Sequence, residues 1–532
     1  MLSYAKGPET GLMESTIGRR LTEAAFRFPD RPAIISRHQN RRLSWVDLDR
    51  EVCGWTAGLR ALGLRPGDRV GIWSTNCVEW VLLQLACARA GMVLVNVNPA
   101  YRSHELGYVL RKSKMRAIFL WSRDERADYA TILEEAAGGE KLDLRRVYLE
   151  RNDLPAGQFG LEEDNESGDV VNIQYTSGTT GSPKGVLLTH RNLLNNASLA
   201  AAQMKLTEED VICAPVPLYH CFGCVMGVLA AVTTGSALVL PNWSFDAGMT
   251  LDAVEAERAT ALYGVPTMFI AQLEHPEFSR FDLTSLRTGI MAGAPCPIEV
   301  MKRVVDEMHC SQITIAYGQT ESSPVITMSQ SDDPLEVRVS TVGTTLPNTE
   351  TKIVSETGET VERGVQGELC TRGYLVMQGY DGEPEATAKA IDKEGWLHTG
   401  DLAVMREDGN CKITGRARDL IIRGGENVYP REIEEFLYTH PKIADVQVVG
   451  LPDARLGECV AAWIRLKTGE TLTEGELREW CRNRIAHFKI PQHIRIVDSF
   501  PMTVTGKVQK YRIREIEIER LGLQQAARIE TA

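Results

Sequence analysis

Residues 175–186 read YTSGTTGSPKGV and set three glycines (Gly178, Gly181, Gly185) and five Ser or Thr hydroxyls around Lys184. Glycine lets successive backbone N–H groups turn into one concavity, the hydroxyls add donors, and the lysine adds positive charge. The stretch therefore suits a phosphate. It is not a loop of the G-x-x-x-x-G-K-[ST] type, because Gly185 follows Lys184. A second string, Tyr317-Gly318-Gln319-Thr320-Glu321, offers an aromatic face for adenine and close backbone approach at Gly318. Thr320 can donate to an α-phosphate, and Glu321 supplies a carboxylate for Mg²⁺. One carboxylate is sufficient there, since Mg²⁺ completes its shell with phosphate oxygens and water. A third string, Thr399-Gly400-Asp401, reads as an aspartate on a tight glycine turn that accepts from both ribose hydroxyls. Any of these alone also fits an ordinary turn; their order along the chain points to a nucleotide.

The elements that must position these strings alternate. Apolar runs at residues 33–35, 69–73, 93–95, 117–120, 237–240, 286–291 and 312–317 read as short buried strands. Residues 17–28 and 78–90 read as helices between them, which predicts a layered α/β body with mixed and largely parallel sheets. Residues 221–245 carry no charge, but Thr233-Thr234-Gly235-Ser236 and Pro241-Asn242 interrupt them, so they read as a buried helix, a turn and a core strand, with no transmembrane segment. Beyond about residue 416 lies a second unit of roughly a hundred residues, a size able to fold alone. In it Pro430 suits a first helical turn, Val446 and Val448 alternate as in a strand, and Thr473 with Glu476 forms a capping box. The expected division is a large N-terminal domain over 1–416 and a small, mobile α+β domain over 417–532.

At 532 residues, with a net charge of −12, the chain favours small-molecule partners and no nucleic acid. Its 12 cysteines form no paired framework, and Cys221-x-x-Cys224 lacks the second pair a zinc site needs, so a reducing cytoplasm is expected. The termini carry neither a signal-peptide layout nor a peroxisomal tripeptide, which fits the same expectation.

The whole 175–186 string resembles the signature loop of the acyl-adenylate-forming, or AMP-binding, enzymes. These comprise acyl-CoA synthetases, aryl-CoA ligases, peptide-synthetase adenylation domains and luciferases. The resemblance covers nearly the whole chain, with its motifs in family order, and implies roles residue by residue. Thr176, Ser177, Gly178, Thr179, Thr180, Gly181 and Lys184 would hold ATP phosphates. Gly293-Ala294-Pro295 would lie against adenine with Tyr317 and Gly318, while Asp401 and Arg416 would take the ribose. His220 and Phe222, with Gly264, Val265 and Gly318, would line the acid pocket. Lys507, in Pro501-Met502-Thr503-Val504-Thr505-Gly506-Lys507, would bridge the substrate carboxylate and the α-phosphate. Arg418 would be the hinge, and Gly424 and Gly425 would line the coenzyme A channel.

The implied activity has two steps: adenylation of a carboxylic acid with release of pyrophosphate, then thioester formation with CoA and release of AMP. Catalytic roles fall to Lys507, Thr320 and Lys184, and the Mg²⁺ role to Glu321. Gly223 stands where amino-acid-activating relatives carry an aspartate, which favours an uncharged substrate tail. The HCFG and GGENVYPREIEE segments are most similar to medium-chain fatty acyl-CoA synthetases. An aryl-CoA or other carboxylate–CoA ligase is the first alternative. A stand-alone enzyme loading a carrier protein and a luciferase-like oxygenase follow. A homodimer is compatible with all of them.

Overall fold

The computed structural model describes residues 1–138, 143–151, 154–157, 165–176, 183–294, 296–416, 419–423, 426–453, 455–482, 484–503 and 506–524, with residues 416, 426 and 427 described by their backbone alone. Among the described residues the strands form four sheets, of nine, seven, five and five strands.

The nine-stranded sheet is parallel through its middle. There Ala261–Gly264, Thr288–Ala292 and Gln312–Gly318 run side by side, with Gly264 opposite Met291 and Ala292 opposite Ala316. Antiparallel strands close both ends, Val325–Met328 and Thr344–Thr345 at one and Arg41–Ser44 at the other. In the seven-stranded sheet Val170–Thr176 pairs parallel with Val93–Asn96 on one side and antiparallel with Lys184–Thr189 on the other. Helix Val78–Ala90 begins and ends as its sequence implies. Apart from Glu79, Gln84 and Arg89 it is apolar around its circumference rather than along one stripe, the composition of a helix buried on nearly all sides. One apolar core takes in its Trp80, Val81 and Leu85 together with Leu94 and Leu188 of the seven-stranded sheet and Leu238 and Tyr263 of the nine-stranded one. Truncating one such buried leucine to alanine costs about 2–5 kcal/mol.

The third sheet was not expected. It is antiparallel throughout and joins Tyr4–Lys6, Thr349–Val354, Gln366–Gly373, Leu397–Met405 and Cys411–Arg416. Its strands carry alternating burial and turn residues, a weaker signal than the apolar runs of the parallel strands.

After Cys411–Arg416 the chain enters the fourth sheet at Ile421–Arg423. Pro430 stands at the first helical position of Pro430–Tyr438, which buries Ile433 and Leu437. The capping box of Thr473 and Glu476 starts Glu474–Cys481. Around them Ile443–Asp453 and Gly457–Leu466 supply a core of their own. The expected strand at 286–291 lies two residues and one residue later, at Thr288–Ala292. No helix among the described residues is long and apolar enough to cross a membrane.

Candidate active site

Ligands of open α/β sheets sit beyond the carboxyl ends of the strands. Here three adjacent parallel strands end at one edge and deliver Gly264-Val265, Gly293 and Tyr317-Gly318 to it. The bend at residues 217–223 supplies the opposite wall. His220 N–H donates to the Pro217 carbonyl and Gly223 N–H to the His220 carbonyl, at 3.2 and 2.9 Å. His220 Nδ1 accepts from Phe222 N–H at 3.2 Å, which fixes it as an acceptor. Burial first, and the Lys507 ammonium second, push the imidazole down to about 3, so the ring stays neutral although part of its surface is open. The Phe222 ring stacks on Tyr263, centroids 5.9 Å apart.

The helix beyond the bend is wound as a π-helix over Phe222–Leu229 before Ala230–Thr234 resumes the α-form, where the sequence suggested only a buried helix. Such windings leave carbonyls short of partners and recur at functional sites; Gln84 donates to the Cys224 carbonyl at 3.1 Å.

Gly223 is also demanded by local packing. A Cβ there would lie 2.3 Å from the Pro217 carbonyl oxygen, so backbone packing alone requires glycine. Packing thus gives glycine at 223 a second reason beside the absence of an acidic side chain there. Phe222, Tyr263, Val265 and Met268 belong to one apolar cluster next to it.

Lys507 comes from the small domain. Its turn closes with Thr503 N–H on the Lys507 carbonyl and Gly506 N–H on the Thr503 carbonyl, at 2.7 and 2.9 Å. Thr267 of the large domain donates to the Gly506 carbonyl at 2.9 Å. A Cβ on Gly293 would stand 3.2 Å from Lys507 Cε and 3.9 Å from its Nζ, so the glycine leaves room for the lysine to pass. The ammonium thus sits near His220, Cys221 and Gly293. Thr320 Oγ1 lies 3.9 Å from Cys221 Sγ in the same region.

At the same strand ends Tyr317 donates to Asp401 at 2.7 Å, and Asp401 pairs directly with Arg416 across antiparallel strands. Asp401 is not on a free turn. It lies within strand Leu397–Met405, where an irregular register absorbs Gly400 at φ +72°. Glu368 fixes that irregularity, accepting from Gly400 N–H at 2.9 Å and pairing with His398 at 2.8 Å. Thr176 and Lys184 face each other in register at the base of the 175–186 string. Ser177, Gly178, Thr179, Thr180, Gly181, Pro295, Arg418, Gly424 and Gly425 lie outside the described residues, as do the side chain of Arg416 and position 417. Ala294 follows Gly293 at the strand end.

Glu321 Oε1 accepts from the Tyr380 hydroxyl at 2.9 Å. Its other oxygen takes no hydrogen bond among the described residues, which leaves a hard oxygen ligand for a cation. The donor set fits Mg²⁺. Tyr380 was not legible in the sequence; its only signal was the Gly-Tyr-Asp-Gly string at 379–382, 59 residues from Glu321. The contacts between domains were equally hidden. Arg465 pairs with Glu274 at 2.8 Å, Glu435 accepts from Ile298 N–H at 3.3 Å, and Arg431 donates to the Ile413 carbonyl at 2.7 Å.

Residues 21–381 match the family model of the AMP-binding enzyme, and residues 432–507 match that of the AMP-binding enzyme C-terminal domain. The chain is 49% identical to the Bacillus subtilis (strain 168) protein named "Putative acyl-CoA synthetase YngI", over 96% of this chain and 99% of that one. It is 43% identical to the mitochondrial medium-chain acyl-CoA ligase ACSF2 of Mus musculus, over 97% and 89%. Among solved structures, the anthranilate CoA ligase AuaEII in complex with anthranoyl-AMP superposes with a TM-score of 0.87 at 25% identity, covering 95% of this chain and 98% of that one.

Proposed function

The chain belongs to the AMP-binding enzyme family, and on that premise we propose that it converts a medium-chain fatty acid to its CoA thioester at the site between its two domains. It is an AMP-forming acid–thiol ligase: ATP-dependent activation of the acid precedes transfer to CoA. The observation that carries the reading is Lys507, reaching from the small domain to His220 and Gly293.

A carboxylate acylates poorly because oxide is a poor leaving group. Adenylation replaces oxide by AMP. Lys507 would hold a substrate carboxylate oxygen against the α-phosphorus, and pyrophosphate would leave in line. Thr320 would donate to the α-phosphate, and Lys184 with residues 176–181 would hold the departing phosphates. Mg²⁺, when bound at Glu321, neutralises charge on the phosphate oxygens. Such a step needs positioning and charge neutralisation rather than covalent help. Tyr317, Gly293, Ala294 and Pro295 would bound the adenine, and Asp401 with Arg416 the ribose. The neutral His220 ring and the Phe222–Tyr263 stack would line the acyl pocket with Gly264, Val265 and Gly318.

The CoA thiolate would then attack the acyl carbon and expel AMP. Lys507 occupies the centre in the conformation described, so the second step requires the small domain to turn about a junction at 416/417, with Arg418 as hinge, and to bring Gly424 and Gly425 in. Twelve cysteines without a paired spacing would suit a reducing compartment such as the cytoplasm.

The ACSF2 relative favours a medium-chain acid, and the AuaEII likeness keeps an aryl acid as the second reading. Pyrophosphate release and acyl-CoA formation, measured over straight-chain, branched and aromatic acids with and without CoA, test this. Best turnover with straight chains of about eight to twelve carbons is expected. Preference for benzoates overturns the chain-length proposal.

A further inference from the structure

Tyr380 lies on the short strand Gly379–Tyr380, paired with Val186 beside the phosphate-binding string. Its hydroxyl donates to Glu321 Oε1 at 2.9 Å, and the Lys184 ammonium sits 4.9 Å from its ring centroid. One side chain therefore touches both groups that the proposed mechanism sets on the triphosphate. Its position is tightly determined. Tyr380 N–H donates to Thr387 Oγ1 at 2.9 Å, and Asp381 N–H donates to the Gly185 carbonyl at 2.8 Å. The Asp381 carboxylate takes both guanidinium nitrogens of Arg69, at 2.7 and 2.8 Å. Lys112 pairs with Glu383 at 2.9 Å. Arg69 and Lys112 also line a basic cleft of about 480 Å³ against Asp381 and Gly382, so the charged groups of that cleft anchor this loop.

We propose that Tyr380 is a positioning residue that orients the Glu321 carboxylate for a divalent cation, an inference resting on the reading of Glu321 as the metal carboxylate. The phenol O–H is the donor and the carboxylate oxygen the acceptor in this contact. With Oε1 occupied by that donor, Oε2 is presented alone. This favours a single-oxygen contact of the kind an octahedral Mg²⁺ accepts, over a chelating carboxylate. Outer groups that orient metal ligands typically change metal affinity 10- to 100-fold when removed.

The test uses the full chain in excess over ATP, with Mn²⁺ titrated in and free Mn²⁺ read by electron paramagnetic resonance. Tyr380→Phe keeps the ring under Lys184 and removes only the hydroxyl. We expect it to weaken Mn²⁺ binding about 10-fold, while ATP affinity in EDTA and the melting temperature stay at wild-type values. Glu321→Gln should weaken Mn²⁺ at least as much, and adding Tyr380→Phe to it should cost nothing further. Wild-type Mn²⁺ affinity in Tyr380→Phe beside a weakened Glu321→Gln overturns the positioning role. Wild-type affinity in Glu321→Gln overturns the metal reading itself, and the inference with it.

Discussion

Thr267 Oγ1 donates to the Gly506 carbonyl across 2.9 Å, so a side chain of the large domain seats the turn that presents Lys507. A neutral hydrogen bond of this kind contributes about 1 kcal/mol. Thr267→Val keeps the shape and removes the donor. Single-turnover adenylate formation should slow about five-fold, while thioester formation from supplied acyl-adenylate keeps its rate.

Arg465 and Glu274 form a second bridge between the domains, both mostly covered. Pairs of this exposure couple by about 0.5–1 kcal/mol. A double-mutant cycle with Arg465→Gln and Glu274→Gln, read on the adenylation rate, should return coupling of that size. Additivity of the two losses would show that the pair does not hold the first-step arrangement.

Tyr317 donates to Asp401 across 2.7 Å, and in the proposed mechanism this bond would join the base and ribose sides of the nucleotide. Tyr317→Phe retains the aromatic face and removes one donor to Asp401. The expected result is an increase in KM for ATP of about five-fold, with KM for the acid unchanged.

The 175–186 string and the YGQTE segment pointed to the family that residues 21–381 match, because glycine, hydroxyl and carboxylate types at that spacing suit close approach to phosphate. The limits of Val78–Ala90 were readable because a long apolar run, broken only by Glu79, Gln84 and Arg89, ends at Gly91, which caps it in the left-handed region. Asp401 was placed on a turn because Thr-Gly-Asp is turn chemistry locally. The structure instead absorbs Gly400 into a strand with help from Glu368, 32 residues away. Gly223 carries a further constraint, the Pro217 carbonyl, a contact that composition cannot show. Tyr380 and the Arg465–Glu274 bridge join distant segments by packing and leave no local pattern.

His190 is buried, its Nδ1 accepts from Ile17 N–H at 3.1 Å, and burial pushes its pKa down to about 4 against an opposing pull from Asp169. An unfolded histidine titrates near 6.5. Between about pH 6.5 and 4 the unfolded chain therefore binds a proton the folded chain refuses, and stability falls as pH drops through that window. The slope from this residue is about 1.4 kcal/mol per pH unit. Urea unfolding at pH 5 and 7 should show the loss in the wild type and a smaller one in His190→Gln.

The ammonium of Lys507 is assigned to the first half-reaction alone, which makes the two half-reactions of Lys507→Ala the most direct measurement. In single-turnover assays the variant should lose adenylate formation by about 10²–10³-fold yet convert supplied acyl-adenylate and CoA to thioester at the wild-type rate. Equal loss in both assays would contradict the exchange of groups at one centre.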